Sequence, residues 1–183
     1  MLKTQNLFLD TNIIVDYIIP HRRTEYACSY ELVERIKKGK FKGWSTDYAL
    51  AETLGNLKKE REISLQKAYV LKEVVTPYEV AGMVKIIQNL TQASNFNVFA
   101  PTPIPQVAIF NEVKDVCVQA TDAFVLLSVI ELRKKLPDVV LVTRDERLLV
   151  RGSKEIPTSH PIGFMTSCPS NCKSKLTCKH QKP

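Results

Sequence analysis

Apolar residues occur along the chain both in short runs and at helical spacing, and the two patterns alternate. The run Leu7–Leu9 stops abruptly at Asp10 and predicts a buried strand, then a tight turn and a short helix capped by Thr11 or Asn12. The clearest parallel strand is Val139–Val142, four apolar residues between polar flanks. Further strands are predicted at residues 41–45, 96–99 and 162–165, and helices at residues 24–38, 47–57, 64–75, 78–93, 107–118, 122–136 and 145–150. This alternation favours an α/β sandwich around a mostly parallel sheet.

Capping and breaking residues mark several of the predicted boundaries. Gly39 is a stop signal for the helix before it, and Asp47 is the predicted N-cap of the helix that follows the second strand. Three prolines shortly after the strand at residues 96–99 force an extended loop: Pro101, Pro103 and Pro105.

The length and composition suit one folded domain with an extension. The chain has 183 residues, and its 44% hydrophobic content supports a sizeable core. Its apolar runs are far shorter than the roughly 20 residues that span a bilayer, and its first six residues lack the regions of a signal peptide. We therefore expect a cytoplasmic protein with no membrane association.

The net charge of +7 is concentrated toward the C-terminus. Residues 151–183 contain six Lys and Arg residues against one acid, Glu155, so that segment carries +5. A basic tail on a near-neutral body suits binding to nucleic acid phosphates, and it equally suits a solvated, partly disordered end. Both interpretations stay open at this point.

Three of the five cysteines lie close together in the last sixteen residues. With a neighbouring histidine they offer four candidate zinc ligands: Cys168, Cys172, Cys178 and His180. Their spacing is not that of a standard finger, and a disulfide or free thiols are the alternatives. Cys28 and Cys117 occur in apolar helical patterns and are interpreted as buried small hydrophobes. We place the folded domain at residues 1–166 and a Cys- and Lys-rich tail at residues 167–183.

Four acidic residues stand where an α/β sheet binds ligands, in the crevice beyond the carboxyl ends of its strands. Asp10 follows one strand directly, and Asp145 lies three residues after the end of the clearest strand. Glu52 is on the helix after the second strand, on a face that its neighbours predict to turn toward the core, and Asp122 begins the last long helix. Each also has a purely structural interpretation as a turn or N-cap residue. Their joint occurrence favours a site.

Several carboxylates close together repel one another unless a cation lies between them. Hard oxygen ligands suit Mg²⁺ or Mn²⁺ with several bound waters, one of which can attack a phosphodiester. The pattern therefore predicts metal-dependent phosphodiester hydrolysis. No P-loop or dinucleotide glycine pattern occurs, and the three histidines offer no strong Ser–His–Asp arrangement.

These motifs resemble those of the PIN-domain nucleases over residues 5–166. The resemblance is carried by residues 8–16 (FLDTNIIVD) and by Ala51-Glu52, Thr121-Asp122-Ala123 and Val142-Thr143-Arg144-Asp145, in that order. It implies a three-layer sandwich with a five-stranded parallel sheet and a Mg²⁺- or Mn²⁺-dependent endoribonuclease. Transferred position by position, the resemblance assigns four acids to the metal site: Asp10, Glu52, Asp122 and Asp145. It assigns Asn12 and Thr143 as polar supports that orient a carboxylate or water, while we interpret Asp16 as structural.

Within this family the chain is similar to the VapC toxins of toxin–antitoxin pairs, which implies RNA as substrate and an antitoxin protein as partner, and we expect a homodimer. The extra sequence between Ser64 and Pro105 and the Cys-rich tail depart from that subtype, so a role in rRNA or tRNA maturation is an alternative. A non-catalytic RNA-binding or partner-binding module is another, although buried carboxylates that face RNA phosphates would not help it. A phosphatase of the haloacid dehalogenase type is disfavoured, because Asn12 stands where its second Asp would be.

Overall fold

Strand β1 (Asn6–Leu9) is the middle strand of a parallel sheet in the computed structural model. The structure describes residues 4–19, 22–23, 26–56, 77–101, 103–105, 107–109, 111 and 120–165. The other strands are β2 (Lys42–Thr46), β3 (Phe96–Phe99), β4 (Val140–Val142) and β5 (Thr158–Ser159). Together they form a five-stranded, all-parallel sheet in the order β3-β2-β1-β4-β5.

Helices connect the strands, as parallel pairing requires. Within the described residues they include α1 (Thr11–Ile18), α2 (Ala27–Lys37), α3 (residues 47–56), α4 (Pro77–Thr91), α5 (Ala120–Arg133) and α6 (Glu146–Glu155). A short 3₁₀ helix covers Pro161–Phe164.

The two faces of the sheet bury separate hydrophobic clusters. Leu7 and Leu9 point to one face, where they pack with apolar side chains of α1, α2 and α4. Phe8 points to the opposite face and packs with side chains of α5 and with Leu148 of α6. This alternation follows from the two-residue period of a strand. The molecule is therefore a three-layer α/β sandwich, as predicted.

The strand order creates a crevice beside β1. The chain passes from β1 to β2 on one side, whereas β4 pairs with β1 on the other. Such a reversal of strand order is the usual ligand-binding position in open α/β sheets. The backbone N–H of Asp10 still donates to the carbonyl of Val142 at 3.0 Å, so β1 and β4 stay joined to their carboxyl ends. The segments that follow β1 and β4 therefore start side by side.

Most predicted elements among the described residues match the structure to within three residues at each end. The strand at residues 96–99 is confirmed with its bounds, and Gly39 follows α2 with a φ of 78°, a left-handed conformation that glycine adopts without strain. The described residues after Pro101 have no regular structure up to residue 105, as the prolines predicted. The helix predicted at residues 64–75 and most of the one at residues 107–118 lie outside the described residues.

Three local predictions are wrong. The last strand was expected at residues 162–165, but a 3₁₀ helix forms there because Pro161 begins it and the His160 imidazole accepts a hydrogen bond from the Ile162 N–H. Asp10, rather than Thr11 or Asn12, is the N-cap of α1. Thr46, rather than Asp47, caps α3, since its hydroxyl accepts from the Ala49 N–H at 3.1 Å. In both helices the capping oxygen belongs to the residue directly before the first helical residue, where the backbone is still extended.

Cys28 is buried, as predicted, but it is disulfide-bonded and not merely a small hydrophobe. Cys117 and the candidate zinc ligands Cys168, Cys172, Cys178 and His180 lie outside the described residues, as does the whole predicted tail. Within the part of the chain that is described, no helix is long and apolar enough to cross a membrane.

Candidate active site

A cavity of about 210 Å³ opens at the carboxyl ends of β1 and β4. Four of the residues that line it are the acids singled out from the sequence, and they come from the end of β1, from α3, from the start of α5 and from the loop after β4. The lining residues are Asp10, Thr11, Asn12, Val15, Arg22, Glu52, Asn56, Thr121, Asp122 and Asp145. The structure thus brings together side chains that are far apart in sequence.

Asp10 is held rigidly at the base of this cavity. Its Oδ1 accepts a hydrogen bond from the backbone N–H of Thr11 at 2.7 Å, which also starts α1. Its Oδ2 accepts from the Thr143 hydroxyl at 2.6 Å and from the Asn12 side-chain amide. Only 6% of Asp10 is exposed. Both carboxylate oxygens are therefore fixed in direction by neighbours on α1 and in the loop after β4.

Asn12 and Thr143, which the sequence suggested as polar supports, link the two strand ends through hydrogen bonds. The Asn12 amide also donates to the Thr143 hydroxyl at 3.0 Å, and its oxygen accepts from the Arg144 N–H at 3.2 Å. The Thr143 hydroxyl accepts in addition from the Asp145 N–H at 3.0 Å. This network ties the segment that carries Asp145 to the one that carries Asp10.

Asp145 lines the cavity and caps a helix at the same time. Its Oδ1 accepts from the backbone N–H groups of Arg147 at 2.8 Å and Leu148 at 3.3 Å, the first turn of α6. Its side chain is 29% exposed. The structural interpretation of Asp145 as an N-cap is thus correct, and it coexists with the position expected of a site residue.

Glu52 reaches the cavity from α3, but not for the reason predicted. The core-facing side of α3 is formed by Ala49 and Thr53, whereas Ala51 and Leu54 are exposed. Glu52 lies between these sides, half-buried, and its Oε2 accepts from the Thr11 hydroxyl at 2.7 Å. It is therefore a carboxylate at the wall of the cavity rather than in the core.

Asp122 is in the first turn of α5 and completes the set of four acids. The pKa of Asp10 is raised to about 7, mainly by burial. The hydrogen bonds from Thr143 and Thr11 lower this pKa, and the nearby charges of Asp122 and Glu52 contribute to its rise. The charges of Asp122 and Glu52 are therefore close enough to disfavour the ionised form of Asp10.

The carboxylate oxygens of these acids are suitable ligands for a hard cation, but their observed positions do not form a coordination shell. Oxygen donors of this kind are the ligands that Mg²⁺ and Mn²⁺ prefer, and a cation would offset the repulsion felt by Asp10. Across the described residues, no group of three or more Asp, Glu, His or Cys side chains has the spacing of a metal site. Side-chain rotation at the cavity wall would have to bring the donors together.

Sequence reasoning missed the arginines beside this cavity. Asp16 of α1 is fully buried and receives two hydrogen bonds from the guanidinium of Arg144, in addition to one from Arg22 at 3.1 Å. The Arg144 guanidinium also lies 3.7 Å from the ring centroid of Tyr26. An acid on the apolar helix α1 was the available signal, because a buried carboxylate needs a cationic partner.

No model of a known protein family matches this chain, and no curated protein matches it either.

Proposed function

We propose that the chain is a Mg²⁺- or Mn²⁺-dependent endoribonuclease of the PIN-domain type. One observation carries the proposal: four carboxylates from four separate segments border a single cavity at the strand-order reversal of a parallel sheet. The motif order that resembles PIN-domain nucleases supports the same assignment. RNA is the proposed substrate, and a toxin role with an antitoxin partner and a homodimer stays a prediction from the resemblance.

In this proposal the acids and the polar residues of the cavity have two different roles. Asp10, Glu52, Asp122 and Asp145 would hold the metal. A bound Mg²⁺ or Mn²⁺ supplies positive charge to the phosphoryl group and lowers the pKa of a coordinated water. Asn12 and Thr143 keep the Asp10 carboxylate in one orientation, so that little reorganisation is needed when a substrate binds. A purely binding module would gain nothing from four acids that repel the phosphates of its ligand.

The cleavage of single-stranded RNA by the purified full chain tests this function. We expect cleavage that requires Mn²⁺ or Mg²⁺ and that falls by at least about 100-fold in Glu52→Gln and in Asp122→Asn, since even residues that only support metal ligands are worth 10–100-fold. Glu31→Gln is the matched control, because Glu31 is an exposed helical glutamate of α2 that pairs with Arg35 and does not line the cavity.

Two results would contradict the proposal. A wild-type protein that cleaves no RNA in a broad panel with either metal would remove the nuclease assignment. Cleavage that persists equally in Glu52→Gln and Glu31→Gln would place the activity elsewhere or in a contaminant.

A further inference from the structure

We propose that the ring of Tyr48 stacks against a nucleobase of the RNA strand beside the carboxylate-lined cavity. This inference rests on the proposed function and assigns a substrate contact within it. Tyr48 is near the start of α3, four residues before Glu52, so the two side chains are neighbours on one side of the helix, with about 5–6 Å between their Cβ atoms. Glu52 lines the cavity. An RNA strand whose phosphate reaches the carboxylates therefore brings an adjacent nucleotide within reach of Tyr48.

Helix α5 brings a second aromatic ring to the same place. Phe124 is three residues after Thr121, which also lines the cavity, so these two residues lie on the same side of α5. The ring centroids of Tyr48 and Phe124 are 4.7 Å apart, and the ring planes are inclined by 47°. Phe124 is half-buried, whereas Tyr48 is 39% exposed. Phe124 therefore holds the Tyr48 ring in place, while part of that ring stays accessible to a ligand.

The acids of the cavity act on the Tyr48 phenol. The pKa of Tyr48 is raised above its ordinary value, mainly by burial, and the negative charges of Glu52 and Asp122 contribute to the rise. Tyr48 therefore lies close to two of the four carboxylates, although it is not part of the cavity lining.

A nucleobase suits this position better than a phosphate does. The nearby carboxylates repel a phosphate, whereas a base is uncharged and presents a flat π face whatever its identity. Stacking of bases on aromatic side chains is a common way to hold a single strand without sequence preference. Single exposed apolar residues are ordinary on protein surfaces. Tyr48 differs from them because a second ring supports it and because it adjoins the proposed site for an RNA strand.

Binding of two fluorescein-labelled strands of the same length to the full chain tests this contact without requiring cleavage. One strand is a short oligoadenylate, and the other is a ribose-phosphate strand that carries no bases. Fluorescence anisotropy in Ca²⁺ gives the affinity for each strand, and a gel checks that the RNA stays intact. We expect the wild type to prefer oligoadenylate. In Tyr48→Ala this preference should fall by at least about fivefold, the effect of losing one stacked base, while the affinity for the abasic strand stays unchanged.

Two further variants separate the ring of Tyr48 from its volume. Tyr48→Leu keeps an apolar side chain against Phe124 without a ring and should lose most of the preference for bases, whereas Tyr48→Phe keeps the ring and should retain it. Leu54→Ala is the matched control, because Leu54 is another exposed apolar residue of α3 but lies about 120° away around the helix axis. It should bind both strands like the wild type. Circular dichroism and thermal melting show whether each variant is folded, and Tyr48→Leu decides the test if Tyr48→Ala is not.

Failure of the Tyr48 contact can be distinguished from failure of the nuclease assignment. A wild type that cleaves RNA but binds oligoadenylate no better than the abasic strand would overturn the contact and leave the nuclease standing. A preference for bases that depends on the Tyr48 ring, in a protein that never cleaves, would support the contact and overturn the nuclease. Equal losses for both strands in folded Tyr48→Leu, or an equal loss of preference in Leu54→Ala, would also overturn the contact.

Discussion

Asp10 shows how one side chain serves both folding and the candidate site. Its carboxylate accepts hydrogen bonds from Thr11, Asn12 and Thr143, which stabilise the charged form. Burial nevertheless outweighs them, so the pKa of Asp10 rises to about 7. Near neutral pH a cation that binds beside this residue would therefore favour loss of its proton.

The raised pKa of Asp10 predicts a pH-dependent cost to stability. Because the pKa in the folded protein is about 7 and the ordinary value is 3.8, the folded state favours the neutral acid. Its stabilising contribution is complete below about pH 4 and is lost as the pH rises through 7, a change on the order of 4 kcal/mol. In metal-free buffer, the free energy of unfolding of Asp10→Asn should therefore rise relative to wild type between pH 4 and pH 8.

Urea unfolding of both proteins at several pH values measures this difference, and effects of other titrating groups cancel in the comparison. Addition of Mn²⁺ at pH 8 should restore the stability of the wild type more than that of Asp10→Asn. A difference that stays constant from pH 4 to pH 8 would show that Asp10 titrates normally.

The sequence predicted which acids line the cavity better than it predicted their hydrogen-bond and ion-pair partners. The positions of Asp10 and Asp145 after strands were sufficient to place them, because a parallel sheet gathers its carboxyl ends at one edge. The arginine partners of Asp16 were not predictable in this way, since Arg144 lies 128 residues from Asp16 along the chain. Glu52 lines the cavity, although it was expected on the core-facing side of its helix and lies between the buried and exposed sides. The spacing of apolar residues does not mark such a half-buried position.

At the scale of elements, α5 positions one acid of the site through its buried face. Leu126 is fully buried in the cluster beneath the sheet, one helical turn after Asp122 on the same side of the helix. The packing of Leu126 therefore fixes the end of α5 that brings Asp122 to the cavity.

Leu126→Ala should lower the free energy of unfolding by about 2–5 kcal/mol, because it leaves a cavity in a closely packed cluster. Leu54→Ala is the matched control: Leu54 is 44% exposed on α3, and its truncation should cost less than about 0.5 kcal/mol. Chemical denaturation of both variants measures the difference. Equal effects would contradict the assigned burial of α5.

Short elements show where sequence patterns stop being informative. The strand at residues 96–99 was predicted with its bounds, since aromatic and apolar residues at its ends pack into both faces of the sheet. The two-residue strand β5 was missed, and the apolar stretch after it was assigned as a strand. A run this short fits a strand or a 3₁₀ turn equally well, and the choice is made by Pro161 and the His160 side chain.

At the scale of the whole molecule, topology explains why distant acids meet. The central position of β1 between β2 and β4 places the segments after β1 and β4 side by side, while α3 follows β2 on the neighbouring strand. The alternation of strands and helices along the sequence predicted an α/β sandwich around a mostly parallel sheet, which is the arrangement observed. It could not predict the strand order itself, which depends on how the two hydrophobic faces of the sheet are covered.

Binding of Mn²⁺ to the full chain, measured by isothermal titration calorimetry at pH 8, tests most directly whether the four carboxylates form one cation site. We predict saturable binding that weakens by at least about tenfold in Glu52→Gln and is unchanged in Glu31→Gln. Absence of saturable binding, or an affinity that is the same in all three proteins, would contradict the account.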